Sequence, residues 1–246
     1  MVLNPIVLIP ARLGSTRLPG KVLADIAGRP MIAHVLQRAR EARLGPVAVA
    51  VACCEAEVAA AVQAHGGIAV MTDPDLPSGS DRIFEALRML DPGGVHDVVV
   101  NLQGDLPGID PAYIQAVLAP VSQGYDIGTL VAPVTTEAER HAPSVVKCAC
   151  AFVGEAEVAP ALYFSRSLIP SGEGLHFHHI GIYAYRRAAL ERFVALPPSP
   201  LELREKLEQL RALEAGMRIG AARVAEAPFG VDTPEDLERA REALSQ

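Results

Sequence analysis

Three fixed cations fall close together near the start of the chain: Arg12, Arg17 and Lys21, within the segment PARLGSTRLPGK. An arginine can take phosphate oxygens in a bidentate fork, and a lysine supplies a compact point charge. Gly14 and Gly20 allow the backbone to come close to a ligand, while Pro19 stiffens the turn. Three cations in one loop suit a polyphosphate better than a single carboxylate. The competing reading is a solvated basic loop, and position argues against it, because the segment directly follows a run apolar enough to be a buried strand. The spacing is not G-x-x-x-x-G-K-[ST], and no G-x-G-x-x-G opens a helix here, so neither a Walker loop nor NAD-type binding is expected.

Other clusters promise less. His176-Phe177-His178-His179 groups three imidazoles, but side chains alternate along a strand and cannot all face one ion. No second ligand group is spaced to complete a zinc site. Cys53-Cys54 and Cys148-x-Cys150 read as thiols used for packing.

The elements that must position these residues follow an alternating pattern. Ile6–Pro10 is a continuous apolar run, as expected for a strand buried on both faces. After Pro30, the residues Ile32, Val35, Leu36 and Ala39 form a helical stripe, ended by Gly45-Pro46. Val47–Ala52 reads as a second strand, Glu55–His65 as a helix closed by Gly66-Gly67, and Ile68–Met71 as a short strand. Ser78-Gly79-Ser80-Asp81 has capping-box spacing before the stripe Ile83, Leu87, Leu90. Val98–Leu102 is another apolar strand, followed by the loop Gln103–Ile109. This alternation predicts an α/β fold with a doubly wound, mostly parallel sheet, whose ligand crevice lies at the carboxyl ends of the strands.

Beyond Ile127 the pattern loosens. Thr129–Val134, Val145–Phe152, His179–Tyr185 and Arg218–Val224 read as strands. Pro200–Ala215 reads as one helix carrying Leu203, Leu207, Leu210 and Leu213. Thr233-Pro234-Glu235-Asp236 opens a last helix with a Thr cap. The expectation is one domain of 246 residues: a nucleotide-binding core over 1–125, an inserted part over about 126–190, and a return to the core over 191–246.

Composition excludes several classes. Half the residues are hydrophobic, 21% are charged and mean hydropathy is +0.23, which is incompatible with a disordered chain. No apolar run reaches the ~18–20 residues of a membrane span, and the first residues do not read as a signal peptide. A net charge of −7 argues against a broad nucleic-acid-binding face. Reduced thiols and a cytoplasmic location are expected.

PARLGSTRLPGK resembles the nucleotide-binding signature of bacterial CMP-Kdo synthetases, the 3-deoxy-manno-octulosonate cytidylyltransferases. PSGSDR (77–82), VNLQGDLP (100–107), ALYFSR (161–166), HHIGIYAYR (178–186), SPLELREKLEQLR and GVDTPEDLERA resemble further blocks of that family, in order and over nearly the whole chain. The resemblance implies a nucleotidyltransferase-like, Rossmann-type fold with a smaller inserted subdomain for dimerisation and substrate. It also implies transfer of CMP from CTP to the anomeric hydroxyl of 3-deoxy-D-manno-octulosonate (Kdo), with release of pyrophosphate, for lipopolysaccharide assembly.

By the same resemblance, Arg12, Ser15, Arg17, Lys21, Ser78, Gly79, Arg82 and Gln103 bind CTP, and Asp105 and Asp232 hold Mg²⁺. The catalytic set is Arg12, Lys21, Asp105 and Asp232. Gln103, Arg166, His179, Tyr183, Glu208 and Gln209 are implied to bind the sugar, and a homodimer is implied. Two departures stand out: Leu106 replaces the acid of the usual QGDEP, and Cys53-Cys54 replaces Thr-Asp. A related acid sugar, either 8-amino-Kdo or a sialic-acid-like nonulosonate, is the alternative acceptor. A nucleotide-binding module without turnover is the alternative of a different class.

Overall fold

A computed structural model of the chain describes residues 3–15, 18–44 and 49–245. These fall into two compact units, one of Val2–Gln115 with Pro228–Gln246 and the other of Ala116–Ala227.

The first unit begins with β1 (Pro5–Pro10), a 3₁₀ turn (Lys21–Leu23), β2 (Asp25–Ile26), β3 (Arg29–Pro30) and α1 (Met31–Glu41). It continues through β4 (Val49–Cys53), α2 (Ala56–Ala64), β5 (Ile68–Met71), α3 (Gly79–Leu90), β6 (Val98–Asn101) and α4 (Pro111–Ala116). Strand β1 pairs in parallel with β4 on one side and β6 on the other, and β5 adds in parallel to β4. Ile6, Val7, Leu8 and Ile9 are all buried, so β1 has no polar face. That is why its sequence is continuous rather than alternating. Helix α3 begins where expected: Ser78 Oγ accepts from the amides of Ser80 and Asp81.

The second unit carries α5 (Leu118–Ser122), β7 (Ile127–Pro133), α6 (Glu137–His141), β8 (Lys147–Ala149), β9 (Val158–Pro160), β10 (Tyr163–Ser165) and β11 (Phe177–Arg186). Then come α7 (Arg187–Val194), α8 (Pro200–Glu205), α9 (Gln209–Glu214) and β12 (Ile219–Arg223), before α10 (Pro234–Leu244) returns the chain to the first unit. Here the sheet is mixed. Strand β7 pairs antiparallel with β11 and in parallel with β12, and β9 and β8 add antiparallel to β12 and β11.

Two expectations change. The strand foreseen over Val145–Phe152 is confined to Lys147–Ala149. The single helix foreseen over Pro200–Ala215 is two helices, because Lys206 adopts a left-handed conformation (φ 57) and ends α8. Leu203 is consequently 65% exposed while Leu207 and Leu210 are buried. Arg211 Nε donates to Glu202 Oε2 at 2.8 Å, which folds α9 back against α8. Strand β12 is held between β7 and β9, and by compactness the chain returns to the first unit at Pro228. Gly45-Pro46, Val47 and Arg17 lie outside the described residues.

Candidate active site

The loop after β1 is closed by its own main chain. The Leu13 carbonyl accepts from the amides of Ser15 (2.8 Å) and Gly20 (3.0 Å), and Gly20 adopts φ 70, the left-handed region open to glycine. From outside the loop, Glu55 Oε1 accepts the Leu13 amide at 2.9 Å. Ser15 Oγ accepts weakly from the Leu18 amide. The 3₁₀ turn that follows seats Val22 in the core and points Lys21 the other way.

A cavity of about 380 Å³ opens beside this loop. Its lining includes Arg12, Ser15 and Lys21 from the loop, Ser78, Gly79 and Arg82 from the start of α3, and Gln103, Asp105 and Asp232. Every described member of the expected CTP-binding and metal-binding sets is therefore brought to one place in the first unit. The main chain is packed tightly beneath them. A Cβ on Gly79 would meet Pro10 Cγ at 3.3 Å, and one on Gly104 would meet the Pro10 carbonyl oxygen at 3.1 Å.

Two acids from distant parts of the sequence meet on one ammonium. Lys21 Nζ donates to Asp105 Oδ2 at 2.7 Å, to Asp232 Oδ1 at 3.0 Å and to the Val231 carbonyl at 3.1 Å. Burial works against the Lys21 charge, but Asp105 and Asp232 outweigh it and raise its pKa above 10.5. The two acid-bearing loops are tied together by main chain, as the Val231 amide donates to the Asp105 carbonyl at 2.9 Å. Asp232 is steadied by the start of α10, where Thr233 and Asp236 form a capping box and Asp236 also accepts the Asp232 amide.

These residues fit a divalent cation. Mg²⁺ is ordinarily held by one or two carboxylates with water and substrate phosphate completing its shell, and both carboxylates here already converge on a single cationic atom. No cluster of three or more His, Cys, Asp or Glu able to hold a metal occurs among the described residues.

Arg82 is 2% exposed, yet it lines the cavity. Its Nη1 donates to Thr72 Oγ1 at 2.6 Å, and the Thr72 hydroxyl donates to the Cys53 carbonyl at 3.0 Å. Ser78 has its hydroxyl engaged in capping α3 and in a 2.7 Å bond to Asp81. Gln103 donates to Asn101 Oδ1 at 3.1 Å. Sequence reasoning missed Thr72 and Glu55, because each acts through a neighbour and neither lies within a recognisable motif. Leu106 is 7% exposed, packed toward Gly230 rather than lining the cavity.

The remaining sugar-binding candidates lie in the second unit. Strand β11 shifts register against β7 between Ile180 and Tyr183. A bulge of this kind re-aims side chains, and it brings the His179 and Tyr183 rings to 5.5 Å. Thr129 Oγ1 lies 2.9 Å from the Ile182 carbonyl and 3.1 Å from His179 Nε2. One hydroxyl proton serves the carbonyl, so the neutral His179 ring donates from Nε2 to Thr129. Burial, reinforced by His178, pushes the His179 pKa down to about 3. Burial pushes the Tyr183 phenol well above its usual value, with Tyr185, Glu208 and Cys148 adding to it.

Glu208 precedes α9 and faces Arg211 at 3.9 Å. Gln209 is 6% exposed, and its Nε2 has no hydrogen-bond partner among the described residues. The guanidinium of Arg166 donates to the carbonyls of Glu205 (2.9 Å), Pro143 (3.0 Å) and Lys206 (3.4 Å).

Comparison with known proteins gives this arrangement its family. The model of the cytidylyltransferase family matches residues 6–219. A 3-deoxy-manno-octulosonate cytidylyltransferase of Paramagnetospirillum magneticum is 61% identical over 243 residues, 98% of both chains. The chain belongs to the 3-deoxy-manno-octulosonate cytidylyltransferase family. Among solved structures, a CMP:2-keto-3-deoxy-manno-octonic acid synthetase complexed with CTP is similar with a TM-score of 0.89 and 41% identity, over 99% of each chain. A 4-diphosphocytidyl-2C-methyl-D-erythritol synthase shares the fold alone, with a TM-score of 0.66, 14% identity and 98% coverage of each chain. The α/β fold with its mainly parallel sheet is thus that of the nucleotidyltransferases.

Proposed function

We propose that this cytidylyltransferase transfers CMP from CTP to the anomeric hydroxyl of Kdo and releases pyrophosphate. The observation that carries the reading is the meeting of Lys21, Asp105 and Asp232 in one cavity with Arg12 and Arg82. Near-full-length identity to enzymes named for that reaction supports it. In the reaction, the sugar oxygen forms a bond to the α-phosphorus and the bond from that phosphorus to the bridging oxygen breaks. The hydroxyl proton leaves the sugar, and pyrophosphate departs with the bridging oxygen.

Such a transfer depends mostly on positioning and on neutralising charge. Arg12, Lys21 and, by the same motif, Arg17 are assigned to the triphosphate. The α3 start adds the partial positive charge of a helix N-terminus beside them. Ser78, Gly79 and Arg82 are assigned to the cytosine. Asp105 and Asp232 would hold Mg²⁺, which when bound neutralises phosphate charge and acidifies an adjacent hydroxyl.

Gln103, Arg166, His179, Tyr183, Glu208 and Gln209 are assigned to the acid sugar. The neutral His179 and the protonated Tyr183 would serve as hydrogen-bonding groups, leaving the carboxylate charge to arginine. A homodimer, a cytoplasmic location and a place in lipopolysaccharide assembly complete the proposal. No helix among the described residues is long and apolar enough to cross a membrane.

Pyrophosphate detection tests the proposal. CTP, ATP, GTP and UTP are each supplied with Kdo, and CTP is then paired with 8-amino-Kdo or a sialic acid. Release with CTP and Kdo is expected. Preference for another acid sugar moves the acceptor assignment, and silence with every acceptor would leave a nucleotide-binding module.

A further inference from the structure

The contacts of Lys21 carry an implication beyond phosphate binding. A lysine ammonium has three donors and no acceptor. All three are engaged, by Asp105 Oδ2, Asp232 Oδ1 and the Val231 carbonyl. The ammonium stands where a cation shared by the two carboxylates would stand, and it cannot donate to a phosphate without giving up one of these partners. Its side chain is 14% exposed, so leaving it unpaired would strand a charge in a poorly solvated place.

We propose that Lys21 is a built-in counter-cation, which makes the site select a divalent ion carried on CTP over the free ion. The inference rests on reading Asp105 and Asp232 as the metal ligands. When the metal and triphosphate come together, the carboxylates pass from ammonium to metal and the ammonium passes to phosphate oxygens, so every charge keeps an opposite partner. A free divalent ion offers no such exchange. It must displace the ammonium from both acids and gives it no anion in return. Only the end of one side chain has to move. The Lys21 backbone is held by the 3₁₀ turn, by Gly20 in its left-handed conformation and by buried Val22.

Manganese binding followed by the electron paramagnetic resonance of free Mn²⁺ tests this without turnover, since no acceptor sugar is present. Wild type, Lys21→Met, Lys21→Gln and Asp105→Asn are titrated with and without CTP, after thermal melts have shown each variant to be folded. Both Lys21 variants should bind Mn²⁺ about tenfold or more tightly than wild type when CTP is absent. The gain in Mn²⁺ affinity that CTP confers should shrink correspondingly. Equal affinity of wild type and both Lys21 variants without CTP, while Asp105→Asn still weakens binding with CTP, overturns the counter-cation role and leaves the metal site standing. If Asp105→Asn binds Mn²⁺ as wild type does in the presence of CTP, the metal reading itself falls, and this inference falls with it.

Discussion

Asp232 contributes one carboxylate to a shared cation and little to packing, since its side chain is 43% exposed in the loop before α10. Asp232→Asn should lower kcat about a hundredfold or more, the loss of several kcal/mol of charge stabilisation. The same change should lower Tm by less than about 4 °C, because a solvated ion pair adds at most ~1 kcal/mol. Steady-state kinetics beside a thermal melt checks both halves.

Thr72 works in the opposite way, from behind the cavity. Its hydroxyl connects the Arg82 guanidinium to the Cys53 carbonyl, and Thr72→Val leaves both without that partner. The expected cost is about 1–3 kcal/mol in a urea melt, together with a raised KM for CTP, and Thr72→Ser should restore both. The contrast explains what was legible in the chain. Arg12, Lys21, Asp105 and Asp232 advertise themselves by charge and by motif. Thr72 and Glu55 are chemically ordinary and become informative only once folding sets them beside Arg82 and Leu13.

At the level of elements, continuous apolar runs identified β1 and β6 because burial on both faces leaves no room for alternation. The same logic failed over Pro200–Ala215. A leucine stripe at helical spacing cannot reveal that Lys206 turns left-handed, since the cost of that turn is met by tertiary contacts such as Glu202–Arg211. Lys206→Gly should therefore hold stability level or raise it by up to about 1 kcal/mol, by relieving the strained conformation. Lys206→Val should lower it, and paired denaturant melts separate the two. The β11 bulge was equally hidden, because four residues of regular strand would hold His179 and Tyr183 far apart. Close packing of β7 against α5 is strict: a Cβ on Gly128 would lie 2.4 Å from the Val117 carbonyl oxygen. Gly128→Ala should cost about 3 kcal/mol, read as a lower denaturation midpoint.

The response of the whole molecule to acid follows from His179. Its folded pKa of about 3 lies below the ordinary 6.5, so between these values the unfolded chain binds a proton that the folded chain refuses. Stability contributed by the neutral ring is complete above pH 6.5 and is lost as pH falls toward 3. By pH 5 the loss should reach about 2 kcal/mol. His179→Gln should flatten this dependence, as measured by urea midpoints at pH 7.5 and pH 5. The division into two units has a further effect during synthesis. Lys21 and Asp105 are translated long before Asp232, with all of Ala116–Ala227 made in between, at about 5–20 residues per second. Until residue 232 has left the ribosome, a growing polypeptide owns only half of the anion pair and lacks the amide of Val231 that secures it. Any nucleotide binding that depends on the pair is thus withheld from every nascent product that stops short of Asp232.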